Sequence, residues 1–182
     1  MSIKELMDDK GVAEALARMA REISTDYSVS DIAIVGIHTG GVFLADRLHT
    51  ILGKDTGVKI PRGTLDITLY RDDWSTIAPN PVVRQTDVEF PVTDYHMILV
   101  DDVIFTGRTI RAALDAIMDY GRPKSVRLAV LVDRGGREIP VQPDYRGMMV
   151  DMPFDRELVD VQLKEKDGRD RVVVEIPIPE DG

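Results

Sequence analysis

The chain has 182 residues, a length that fits one domain of about 100–200 residues. Apolar residues make up 43% and charged residues 30%, enough for a core and a covered surface, and the lack of cysteine excludes disulfides and thiolate metal sites. Lys and Arg number 23 against 32 Asp and Glu; the formal charge of −9 repels nucleic acid at long range and confines any such binding to a local basic patch.

The opening MSIKELMDDKGVAEAL reads as acidic and helical, without the basic start and apolar stretch of a signal peptide. No window approaches the roughly 18 consecutive apolar residues of a membrane span, so no membrane partner and a cytoplasmic location are expected. Val12, Leu16, Met19 and Ile23 recur at helical spacing and predict an amphipathic helix. DIAIVGIHTGG (31–41) predicts a strand ending in a glycine turn, and VFLADRLHTIL (42–52) a helix with Leu44, Leu48 and Ile51 on one face. TLDITLYRDD (64–73) alternates Leu65, Ile67 and Leu69 with polar neighbours, the period of a half-buried strand. Residues 74–94 hold three prolines and no sustained period, which suggests a functional lid.

MILVDDVIFTGRTIRAAL (97–114) then joins an apolar strand, an acidic pair, a glycine turn and a helix with Ile110, Ala113, Leu114, Ile117 and Met118 on one stripe. Gly121 and Pro123 close that helix. SVRLAVLVD (125–133) has the continuous apolar character of a strand covered on both faces, and shorter strands are predicted at 147–151, 159–163 and 171–176. Strands alternating with helices predict a single α/β domain over 1–182 with a largely parallel central sheet flanked by helices. Ligands of such sheets sit beyond the carboxyl ends of strands, where both glycine turns fall.

Two readings fit the stretch after residue 100. In one, Asp101 and Asp102 are solvated at a strand end and Thr106 caps the next helix. In the other, Gly107 lets the backbone approach a phosphate, Thr106 and Thr109 add hydroxyl donors and Arg108 adds charge at a helix N-terminus. The carboxylates repel phosphate but accept from vicinal hydroxyls, so carboxylates and turn together suit a ribose 5-phosphate. No P-loop pattern is present. His38, His49 and His96 show no metal-ligand spacing, so no zinc site is expected.

ILVDDVIFTGRT (98–109) resembles the phosphoribosyl-diphosphate (PRPP) motif of type I phosphoribosyltransferases. The resemblance extends to the PyrR family of uracil phosphoribosyltransferases that also regulate pyrimidine-operon transcription. It is carried by LDITLYRDD (65–73), GRPKSVRLAVLVDRGGRE (121–138), DYRG (144–147) and KDGRDRVVV (166–174). It implies the type I phosphoribosyltransferase fold with a small hood and a flexible lid over about 71–94. It also implies the reaction of uracil with PRPP to UMP and diphosphate, with Mg2+ brought by PRPP near Asp101 and Asp102 rather than held by protein ligands alone. The acidic pair would meet the ribose hydroxyls, and Val103, Ile104, Phe105, Thr106, Gly107, Arg108 and Thr109 the ribose and 5-phosphate. Thr39, Gly40 and Gly41 would bind diphosphate, with Arg71 nearby and Arg84 reaching in from the lid. Many relatives have Arg and Lys where this chain has Gly40 and His38.

Phe105 stands where purine enzymes usually place an Asp, which argues for a pyrimidine base. Arg134 and the backbone around Val159 would read uracil. A leader RNA of a pyrimidine operon is an implied partner, with Arg18, Arg21, Arg137 and Arg146 as the basic residues available to it. The family also implies a homodimer or higher oligomer.

Overall fold

The computed structural model describes residues 2–54, 56–71, 85–150 and 158–176. Trp74, Arg84 and most of the expected lid lie outside these residues, as does the stretch 151–157 before the second-to-last strand.

In chain order the elements are β1 (Ser2–Met7), α1 (Asp9–Asp26), β2 (Ile32–Ile37), α2 (Gly40–Gly53), β3 (Arg62–Leu65), β4 (His96–Ile104), α3 (Arg108–Met118), β5 (Ser125–Asp133), β6 (Tyr145–Met149), β7 (Leu158–Gln162), α4 (Lys164–Asp167) and β8 (Arg171–Ile176). Five strands form a parallel sheet in the order β3-β2-β4-β5-β6. β1, β8 and β7 form a separate antiparallel sheet, the hood.

Alternate residues of the central strands serve two different cores, as a strand's period of two requires. Ile32, Ile34, Ile98 and Val100 face α1, α2 and the hood strands, whereas Ala33, Val35, Met97 and Leu99 face α3. Both faces of the sheet are therefore covered, which is why β2, β4 and β5 read as unbroken apolar runs. Val159, Val161, Leu163, Val172 and Val174 of the hood share the first core with α1 and α2. Arg47 of α2 adds a polar clamp, donating to Glu165 at 2.9 and 2.6 Å and to Asp170 at 2.7 Å.

Two elements differ from the sequence expectation. Residues 2–7 are an antiparallel strand rather than the start of the first helix, because pairing with β8 overrides the helical preference of Lys4, Glu5 and Leu6. Asp8 then starts α1 by accepting from the Gly11 amide at 2.7 Å. The strand expected over 64–73 stops at Leu65. There Asp66 Oδ1 accepts from the amide and the hydroxyl of Thr68, at 2.8 and 2.5 Å, and turns the chain into a 3-10 turn at Thr68–Tyr70. The far end of the proline-containing segment is tied down: Thr64 and Asp87 exchange both backbone hydrogen bonds, at 2.8 and 2.9 Å.

The backbone of α2 lies tight against β4 at Gly41, where an added Cβ would lie 2.3 Å from the Val100 carbonyl oxygen. Gly41→Ala must displace α2 from β4 and is expected to cost roughly 1–3 kcal/mol, read as a lower urea midpoint with an unchanged m-value.

Candidate functional site

The connection from β2 leads through α2 to β3 at one edge of the sheet, while that from β4 leads through α3 to β5 on the other side. The strand order thus reverses between β2 and β4, and a crevice opens beyond their carboxyl ends. The parallel register pairs Gly36 with Val100, which sets the turn after β2 beside Asp101 and Asp102. A cavity of about 440 Å3 lies there, lined by the turn 38–40, by Asp66 to Thr68, and by Arg71, Asp101, Asp102, Val103, Thr109 and Lys166.

The two helices that open into this crevice lack what α1 has. Neither α2, whose N-cap is Thr39, nor α3, whose N-cap is Gly107, carries a side-chain capping bond. Thr106 stands one position ahead of the N-cap, where its Oγ1 accepts from the Arg108 amide at a long 3.4 Å. Gly107 has φ +90°, a left-handed conformation that favours glycine. The Thr106 carbonyl is fixed by the amides of Glu138 and Ile139, at 2.9 and 3.2 Å. Arg108 is exposed and its Nε donates to Glu138 at 2.6 Å, so its charge is shared with a carboxylate of the neighbouring loop.

Asp101 is buried, with its Oδ1 accepting the Asp102 amide at 2.9 Å; Asp102 Oδ1 accepts the Val103 amide at 2.8 Å. Burial, and then the adjacent Asp102 carboxylate, push the Asp101 carboxyl well above the usual carboxylate range. Asp102 fills the space over Gly40, where an added Cβ would stand 2.0 Å from Oδ2. The turn and the acidic pair are thus one packed unit, and Gly40 is the residue that permits it.

Phe105 and Arg134 are brought together, with the guanidinium 4.3 Å from the ring centroid. Arg137 is not on a free surface. It donates to the carbonyls of Phe105 and Gly135 at 2.8 and 2.9 Å, to that of Val141 at 2.8 Å and to buried Asp133 at 2.7 Å, which makes it the brace of the 133–141 loop. The Val159 side chain points into the core rather than lining the cavity. Arg18 reaches across to the carbonyls of Arg146 and Gly147, at 3.0 and 2.7 Å, so α1 and β6 present Arg18, Arg21 and Arg146 on neighbouring surface. Asp66, Thr68 and Lys166 line the cavity although the sequence reading passed over them. An Asp-x-Thr turn just past a strand could have pointed to the first two, while Lys166 comes from the hood, about a hundred residues away in sequence from Asp66.

A family model described as the phosphoribosyl transferase domain matches residues 2–166. The Bifunctional protein PyrR of Syntrophobacter fumaroxidans is 55% identical over 171 residues, covering 93% of this chain and 91% of the relative. The chain belongs to the PyrR family. The Bifunctional protein PyrR of Deinococcus radiodurans is 49% identical over 178 residues, covering 97% and 95%. Among solved structures, a hypoxanthine-guanine phosphoribosyltransferase of Bacillus anthracis has TM-score 0.70 at 17% identity, covering 97% of this chain and all of the other. The Trypanosoma cruzi hypoxanthine phosphoribosyl transferase has TM-score 0.71 at 19% identity, covering 96% and 91%. These enzymes share the type I fold with this chain.

The raised Asp101 carboxyl has a consequence for stability. The folded state holds this proton more tightly than the unfolded chain, whose carboxyl titrates near about 3.9. Its ionisation therefore opposes folding, and the opposition grows as pH rises above about 4. Asp101→Asn keeps an acceptor for the Asp102 amide, so it is expected to be more stable than wild type at pH 7.5. That gap should shrink as the pH falls to about 4. Thermal unfolding of both proteins across this range checks it; a gap independent of pH contradicts the assignment.

Proposed function

We propose that the crevice between β2 and β4 binds PRPP and uracil and yields UMP and diphosphate, and that the same chain regulates pyrimidine genes by binding RNA. PyrR-family membership carries the activity class, uracil phosphoribosyl transfer joined to pyrimidine regulation. What supports this location is the pair of helix N-termini, α2 and α3, whose N-cap residues make no side-chain capping bond, on either side of the acidic pair at the strand-order reversal.

In this reading the first turn of α3, from Thr106 to Thr109, holds the 5-phosphate through backbone amides and hydroxyls. Asp101 and Asp102 accept from the 2- and 3-hydroxyls of the ribose, and Thr39 to Gly41 hold the diphosphate. Among the described residues no group of three or more His, Asp or Glu side chains is arranged to hold a metal alone. The donor set suits a magnesium ion, which Asp101 and Asp102 would help to hold; bound, it would supply positive charge that favours departure of diphosphate. Phe105 with Arg134 walls the base site, and an aromatic ring there offers no partner to a purine N7. Uracil N1 forms the new bond to ribose C1 while the C1–O bond breaks, diphosphate leaves with the electron pair, and the N1 proton passes to solvent. No side chain is assigned as general base. The contribution of the protein is positioning and charge stabilisation.

The regulatory surface is assigned to Arg18, Arg21 and Arg146, with Arg137 removed from it because its donors are spent inside the fold. A homodimer or larger assembly in the cytoplasm completes the proposal. No helix among the described residues is long and apolar enough to cross a membrane.

Protein incubated with magnesium, PRPP and either uracil, hypoxanthine or guanine is expected to form UMP only, and Asp102→Asn to lower kcat/KM by about 100-fold. Absence of turnover with every base overturns the catalytic assignment. In gel shifts with a pyrimidine-operon leader RNA at fixed salt, with and without UMP, Arg21→Ala and Arg146→Ala should weaken binding about tenfold together and leave turnover intact. Wild-type binding no tighter than to an unrelated hairpin overturns the regulatory assignment.

A further inference from the structure

The cavity is lined by more acidic than basic side chains among the described residues. Asp66, Asp101 and Asp102 line it, against Arg71 and Lys166 as the cationic lining residues among those described. Its turn, His38-Thr39-Gly40, contributes neither lysine nor arginine. A diphosphate at that turn would meet backbone amides and the Asp102 carboxylate, and amides alone compensate a strongly negative group poorly.

Lys166 reaches the same space from the hood, and its own turn is rigidly built. Leu163 is fully buried, its amide donates to Asp167 Oδ2 at 2.9 Å, and its carbonyl accepts from the amides of Lys166 and Asp167 at 3.0 and 2.6 Å. Gly168, at φ +75°, ends the turn. The Arg47 clamp on Glu165 and Asp170 fastens this stretch to α2, the helix whose first residues form the Thr39–Gly41 turn. Hood lysine and helix N-terminus are therefore held in one frame. The Lys166 ammonium is not committed to the acidic pair. It lies 3.5 Å from the Val161 carbonyl and 3.5 Å from Asp167, both at the outer limit of a polar contact.

We propose that Lys166 is a diphosphate-binding residue, the cation that the turn at 38–40 lacks, brought in from the hood. The proposal rests on the phosphoribosyl-transfer reading and deepens it, by assigning the positive charge that recognises the leaving group. It separates PRPP and inorganic diphosphate from UMP, which has the ribose 5-phosphate but no diphosphate.

Titration calorimetry of the full chain with magnesium and, separately, PRPP, inorganic diphosphate and UMP tests it on wild type, Lys166→Met and Lys166→Arg. Lys166→Met is expected to weaken PRPP and inorganic diphosphate about tenfold or more while UMP affinity and Tm stay within error of wild type. In steady state the loss should fall on KM for PRPP, and Lys166→Arg should recover most of it. PRPP affinity unchanged in Lys166→Met overturns the proposal while leaving the function intact, and so does an equal loss of PRPP and UMP, which would make Lys166 a ligand of the 5-phosphate or a structural residue. A wild type that binds neither PRPP nor UMP fails at the underlying reading, before any variant is compared, and takes the proposal with it.

Discussion

The backbone at Gly40 and Gly41 lies against the end of β4 with no room for a side chain, and the rest of the site depends on that contact. A methyl group on Gly41 would strike the Val100 carbonyl and one on Gly40 the Asp102 carboxylate. Without this approach the first turn of α2 would stand off from the acidic pair. One half of the crevice would then face solvent. The parallel register of β2 and β4 brings the two strand ends level, and the glycines turn that level edge into a closed corner. A leaving group and a ribose can occupy the two sides of such a corner at once, which is what a transfer at C1 requires.

The same closeness explains the electrostatics. Asp101 is buried under the turn, so its charge is poorly solvated, and the neighbouring Asp102 raises the cost further. A crevice that holds three carboxylates is prepared for hydroxyls and a divalent cation and ill prepared for phosphate alone. Cations must enter from outside the corner. Arg71 does so from the end of the β3 segment, whose Leu65 and Ile67 belong to the core under α3, and Lys166 from the hood, whose valines belong to the core under α1 and α2.

Much of this was legible in the sequence because it is local. The unbroken apolar runs of β2, β4 and β5, the glycine turns that follow them and the ILVDDVIFTGRT stretch each carry their meaning within a dozen residues, and the structure assembles them as expected. Most of what failed was non-local. Ser2–Met7 becomes a strand only through its partner β8, some 170 residues away, and no period within six residues can report that. The strand at 64–73 was cut short by a single side chain, Asp66, whose bonds to Thr68 favour a turn over continued pairing. Arg137 looked like surface charge, since an arginine in a polar loop usually is, and nothing in the sequence showed that Asp133 would be buried and need it. Lys166 was invisible for the converse reason, because only the hood fold brings it to the crevice.

Asp133 also joins the two halves of the proposed function in one physical arrangement. One of its oxygens accepts from Arg137, which in turn holds the Phe105 carbonyl beside the Arg134 stack; the other faces Arg146, at 3.5 Å. The Arg146 carbonyl accepts from Arg18 on α1. A contiguous set of polar contacts thus runs from the wall of the base site to the basic surface of α1 and β6. Contiguity is not coupling, since coupling requires two arrangements of this set with different populations when nucleotide is bound. What the arrangement does fix is geometry: the loop that carries Arg134 and Arg137 and the strand that carries Arg146 meet at one buried carboxylate, Asp133.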